Sequence, residues 1–98
     1  MRGGGGLRAR IRFTEHARHK LELLSGLGVT EDSVLEAIME PDELLYDTRR
    51  DHLVAIRYDL GLAVPFDREG DTIAVATILY SSGLRKLVER RKKSGRWI

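Results

Sequence analysis

Residues 10–19, "RIRFTEHARH", decide how this chain begins to fold. Extended back to Leu7, the run alternates: Leu7, Ala9, Ile11 and Phe13 fall on one face, Arg8, Arg10 and Arg12 on the other. That period of two marks a half-buried strand from Leu7 to Phe13. At Thr14 the period changes. Threonine is a good helix N-cap, and Ala17, Leu21 and Leu24 then recur at helical spacing until Ser25 and Gly26 end the run. A strand therefore feeds directly into a helix, and His16 lies in that helix's first turn.

Working outward, Val29 and Val34 bracket Thr30 as a hydrophobic staple brackets an N-cap, with Glu31 and Asp32 at the positive end of the helix dipole. Val34, Leu35, Ile38 and Met39 form the buried stripe of this second helix, and Pro41 stops it. Beyond Pro41 the period shortens to two. Leu44 to Asp47, His52 to Tyr58, Leu62 to Phe66 and Thr72 to Tyr80 read as strands of an antiparallel meander. They are separated by "TRRD", "DLG" and "DREGD", the last two carrying the glycine that tight hairpins favour. "TIAVATILY" is apolar on both faces and predicts a central strand covered on each side, whereas Pro65 predicts an edge or bulged strand. Leu84, Leu87 and Val88 predict a short C-terminal helix carrying Arg85, Lys86, Arg90, Arg91, Lys92 and Lys93. The expected class is α+β, in the order β-α-α-β-β-β(-β) followed by a basic helix. Residues 1–6, with four consecutive glycines, are expected to form a flexible leader, and residues 7–98 one domain.

Composition narrows the function classes. Ninety-eight residues, 42% of them apolar, suffice for one core. Cysteine is absent, which removes disulfides, thiolate nucleophiles and cysteine-ligated zinc. No apolar run approaches the roughly 20 residues of a membrane span, and no secretory signal is evident, so a soluble cytoplasmic protein without membrane contact is expected. Asparagine and glutamine are also absent and 33% of residues are charged, the pattern of proteins from hot environments. The net charge of +2 conceals a segregation: residues 1–30 and 72–98 carry 13 Lys and Arg against 3 Asp and Glu, while residues 31–71 carry 4 against 12. If folding joins the two ends, one face becomes positive and suited to phosphates.

A strand running into "FTEHA", then "TEDSVLEAIMEPDE", a meander ending in "TILY" and a basic tail with "GRW" resembles a family of domains of unknown function. That family carries an F-T-x-H-A motif and is grouped with the RelE/ParE-like toxin superfold, and the resemblance covers residues 11–98. It implies two helices packed on one face of a curved antiparallel sheet, the other face being the working surface. It further implies either an RNA-directed toxin, a metal-independent ribonuclease or translation inhibitor, or a non-catalytic protein- or nucleic-acid-binding module. RNA and a small antitoxin protein are the partners so implied.

Metal-free RNA cleavage needs a base for the 2'-hydroxyl, a cation for the developing phosphorane charge and an acid for the leaving 5'-oxygen. His16, the motif histidine, suits the base. Arg57 alternates with His52, Val54, Ile56 and Tyr58 and suits a phosphate clamp. Tyr80 suits an acid or a stacking platform, or equally a core aromatic with a wet hydroxyl. Arg8, Arg10, Arg12, Arg85, Lys86, Arg90, Arg91, Lys92, Lys93 and Arg96 are candidate phosphate contacts, with Trp97 stacking on an unpaired base. Trp97 and Ile98 also suit a cap on the core or the seam of a homodimer. His16 and His19 have the i, i+3 spacing of a metal pair, but no third ligand, from an aspartate or His52, is fixed by spacing; neither a metal nor a cofactor is expected.

Overall fold

Two threonines set the N-terminal helices. The Thr14 hydroxyl accepts from the Ala17 amide, and Thr30 forms a reciprocal capping box with Ser33. In the computed structural model, which describes residues 10–98, the chain runs β1 (Arg10–Phe13), α1 (Glu15–Leu24), a 3-10 turn (Ser25–Leu27), α2 (Glu31–Met39) and β2 (Glu43–Asp47). It continues through β3 (His52–Arg57), β4 (Leu62–Glu69), β5 (Thr72–Val75), β6 (Leu79–Tyr80) and α3 (Leu84–Lys93). The architecture is α+β. The glycine leader, the Leu7–Ala9 portion of the first expected strand and Arg8 lie outside the described residues.

The strands form one sheet in the order β1-β5-β4-β3-β2, with β6 paired to β4. The meander from β2 to β5 is antiparallel, as its short turns require. β1 departs from the antiparallel expectation: it lies parallel to β5, with Arg10 opposite Thr72 and Phe13 opposite Val75. A parallel neighbour needs a long crossover, and here α1, α2 and three strands intervene. β1 and β5 therefore finish side by side, which matters for the site.

The expected strand from Thr72 to Tyr80 is broken into β5 and β6. Pro65 accounts for the break. Its carbonyl accepts from the Ala76 amide at 2.9 Å, so its side of β4 faces the β5–β6 path. The amide of a strand residue points the same way as its carbonyl, and proline has none to give. The ladder is interrupted there while β4 itself remains central, paired with β3 through Val54 and Pro65. Pro65 thus acts by breaking its neighbour rather than by occupying an edge. Gly61, at φ 66°, lets the chain close on β6, since a Cβ there would stand 3.0 Å from the Ser81 carbonyl.

Both sheet faces are covered. Phe13, Ala17, Val34, Ile38, Ala55, Val64 and Val75 belong to the larger core beneath α1 and α2. On the opposite face Leu84 and Val88 of α3, with Trp97, pack on Leu45, Val54, Ile56 and Ala63. The alternation in β3 explains the split: Leu53 and Ala55 face one layer, Val54 and Ile56 the other. The face expected to be an open working surface is therefore largely occupied by the basic C-terminal helix. No helix among the described residues is long and apolar enough to cross a membrane.

The last residues extend the sheet. Trp97 bridges Asp47 in antiparallel fashion, the Thr48 amide donates to the Arg96 carbonyl at 2.7 Å, and the Ile98 amide donates to the Tyr46 carbonyl at 2.9 Å. "GRW" is a docked segment rather than a free tail. Trp97 is 1% exposed, which overturns the expectation that its indole stacks on a base and supports the core cap.

Candidate functional site

Register builds the site. Asp47 pairs with His52 across β2 and β3, and Leu53 pairs with Phe66 across β3 and β4. Asp67, next after Phe66, is therefore the cross-strand neighbour of His52, and His52 Nδ1 meets Asp67 Oδ1 at 2.8 Å. A carboxylate only accepts, so the proton of this contact belongs to Nδ1, leaving Nε2 as the ring's other functional nitrogen. These three residues form a row on the α3 side of the sheet, because residues an even number of positions away on the same strands, Leu45, Val54 and Ala63, pack there.

The break after β5 lies beside this row. Where β1 and β5 finish together, the Thr14 amide donates to the Val75 carbonyl at 3.1 Å and the Thr14 hydroxyl donates to the Ala76 carbonyl at 3.0 Å. The same threonine caps α1, so the start of the helix is fixed to the interruption in the sheet. His16, two residues on, is exposed, and with Lys20 one turn later it contributes to a pocket of about 300 Å³. Pro65 comes from β4, Ala76 and Thr77 from the gap between β5 and β6, Leu79 from β6, Asp47, Arg50 and His52 from the β2–β3 hairpin, and Arg91, Arg96 and Trp97 from the C-terminal segment.

Four cations thus line the pocket against one carboxylate, and that carboxylate is occupied. Asp47 Oδ1 accepts from the Arg49 and Arg50 amides at 2.9 Å each, and Oδ2 from the Trp97 indole at 3.1 Å and Arg96 Nε at 3.4 Å. Burial pushes the Asp47 carboxyl up, but the Arg50, Trp97 and Arg49 hydrogen bonds and the Arg96 charge outweigh it and hold the group below the usual carboxylate range. Arg91 stacks over the Trp97 ring, 5.0 Å from its centroid. Burial pushes its guanidinium down, and Arg96, Arg49 and Arg90 add to that, a crowd of like charges that an anion would relieve.

Of the expected catalytic residues, only His16 lines this pocket. Arg57 points to the other face, where Nη2 meets Glu36 Oε2 and Nε meets Asp59 Oδ1, each at 2.8 Å, and Nη1 donates to the Glu40 carbonyl at 3.3 Å. It fastens the end of α2 to the sheet, and with 15% of its side chain exposed it is no phosphate clamp. Tyr80, on the short β6, is part of the surface near Gly61 and not of the pocket.

The basic residues divide in the same way. Arg91 and Arg96 line the pocket; Arg10 and Arg12 lie on β1, Arg12 bonded to Glu69 at 3.2 Å. Arg85 stacks on Tyr58 at 4.0 Å and, with Lys86, borders a separate depression at the start of α3. Lys92 meets Glu43 at 2.6 Å, while Arg90 and Lys93 are exposed in the last turn of α3. Among the described residues, cations from both parts of the chain, Lys20 from one and Arg91 and Arg96 from the other, meet at this pocket, and Arg50, from the acidic middle, joins them there.

Sequence reasoning considered His52 only as a metal ligand and passed over Lys20, Arg50 and Asp67. A signal for the His52 and Asp67 pair was present: closing "DLG" with Arg57 opposite Leu62 puts residue 52 opposite residue 67. His19 does not line the pocket, and among the described residues no group of three His, Cys, Asp or Glu could hold a metal ion. No family model, curated protein or solved structure matches this chain.

Proposed function

We propose that the protein acts on RNA, holding a backbone phosphate in this pocket and cleaving beside it without a metal, in the manner of the RelE-like toxin domains that the "FTEHA" stretch resembles. The observation that carries the reading is the sharing of one open pocket by His16, Lys20, Arg50, Arg91 and Arg96. An exposed imidazole suits the base for a 2'-hydroxyl, and neighbouring guanidinium groups suit the charge that develops on phosphorus.

The test combines growth arrest on expression with RNA integrity in chelator. The wild type should arrest growth and cut RNA, and His16→Ala should lose about 10²- to 10⁴-fold in cleavage while keeping its fold and its RNA affinity. Unchanged cleavage in that variant removes His16 from the mechanism.

A non-catalytic binding module is the second reading. It draws support from the position of Arg57 and Tyr80 away from the pocket. It predicts salt-sensitive RNA binding with no product and growth arrest that survives the loss of His16.

A further inference from the structure

We infer that His52 is the general acid of this site, protonating the leaving 5'-oxygen, and that Asp67 is the positioning residue that holds its ring. The inference rests on the RNA-cleavage reading and adds a second catalytic group to it.

Two imidazoles from different elements line the same pocket, His16 from the first turn of α1 and His52 from the start of β3. They differ in what holds them. His16 is an exposed side chain on a helix, whereas His52 is half-buried and bonded through Nδ1 to Asp67 at 2.8 Å. An anchor of that kind occupies Nδ1 and fixes the ring's orientation, which leaves Nε2 as the nitrogen that can donate in the pocket. Asp67 cannot take that role itself, because it reaches the pocket only through the ring; it does not line it. Among the described residues, the Trp97 indole is engaged by Asp47, Tyr58 and Tyr80 lie outside the pocket, and Lys20 shares the pocket on the His16 helix.

The step balances. The 2'-hydroxyl gives its proton to His16, and the 2'-oxygen forms a bond to phosphorus. The bond from phosphorus to the 5'-oxygen breaks, and that oxygen takes the proton from His52 Nε2. The products are a 2',3'-cyclic phosphate and a 5'-hydroxyl end, with the two rings having exchanged protonation states. Arg91 and Arg96 are near enough to the same pocket to meet the charge on the non-bridging oxygens.

The experiment compares two sets of single-stranded oligonucleotides, each containing one ribonucleotide with mixed flanking sequence. In one set the leaving atom is the natural 5'-oxygen; in the other it is a 5'-bridging sulfur, which departs as a thiolate without needing a proton. His52→Ala should cut the oxygen set about 10²-fold more slowly than wild type and the sulfur set within a few-fold of it. His16→Ala should be slow on both. Asp67→Asn keeps the ring and its packing, and should show a smaller loss on oxygen that also vanishes on sulfur, which keeps the test intact should His52→Ala fold poorly. Equal slowing of His52→Ala or Asp67→Asn on both sets overturns the acid assignment, as does a normal rate on both. A wild type that leaves both sets intact overturns the RNA-cleavage reading itself, and the acid assignment falls with it.

Discussion

The two ends of the sheet each hold arginine, and they use it in opposite ways. At the β3–β4 turn, Arg57 is ringed by Glu36, Asp59 and the Glu40 carbonyl, and the Asp59 and Glu36 carboxylates hold its guanidinium above its ordinary range. At the far end, Arg50, Arg91 and Arg96 gather with Lys20 around one carboxylate that four hydrogen bonds already occupy. One cluster is a finished structural joint. The other holds positive charge in excess, beside two imidazoles. A count of cations cannot separate the two cases, because what differs is whether acids from distant parts of the chain arrive at the same place.

The comparison breaks most readily at Trp97. Its indole fills the second core and donates to Asp47, so Trp97→Ala should cost about 3 to 5 kcal/mol in urea unfolding. A cost below about 1 kcal/mol would mean that the C-terminal segment is not the wall of the pocket.

Asp47 comes next. Asp47→Asn at neutral pH should cost about 1 to 3 kcal/mol, since an amide in place of the buried anion leaves its four donors less well satisfied. The pH dependence has a definite sign. A carboxyl whose folded pKa is depressed contributes stability above its unfolded value of about 4, and that contribution is lost as pH falls through the folded value. Thermal unfolding between about pH 4 and pH 2 should therefore be steeper for wild type than for Asp47→Asn. Glu43, lowered by hydrogen bonds from Lys92 and Tyr58, adds the same slope to both proteins. Identical acid slopes would contradict the account of Asp47.

Removing Arg91 and Arg96 together should weaken single-stranded RNA binding and reduce the dependence of log affinity on log salt by roughly 1.4, about 0.7 for each lost phosphate contact. Arg57→Ala sharpens the contrast from the other side. It should lower the melting temperature by releasing the end of α2, yet leave RNA affinity and its salt slope unchanged. A binding loss in Arg57→Ala equal to that in the double variant would erase the distinction between the two ends.

Much of the fold was legible because it depends on local signals. Thr14 and Thr30 announce two helices, Pro41 ends the second, and Gly61 and Gly70 mark hairpins. The parallel pairing of β1 with β5 was not legible, since no turn joins them and no residue pattern records direction. Pro65 was read correctly as a disturbance but assigned to the wrong strand: its missing amide acts on the neighbour, and only the pairing reveals which neighbour that is. His16 could be singled out because its helix cap is local. Arg57 was misplaced because alternation gives a face, not what covers it, and α2 brings Glu36 to that face from 21 residues away. Trp97 was read both as a stacking platform and as a cap on the core, and the sequence could not choose because Asp47, the partner that decides it, lies 50 residues earlier.

The most direct test of the whole account is a footprint. An RNA oligonucleotide carrying 2'-O-methyl groups cannot be cleaved by the proposed route, and can be titrated into isotope-labelled protein while amide shifts are followed. The account predicts that the largest changes gather at His16, Lys20, Arg50, His52, Thr77 and the Arg91–Trp97 segment, and fade in high salt. Changes centred on Arg57, Asp59 and Tyr80, with the pocket silent, would contradict it.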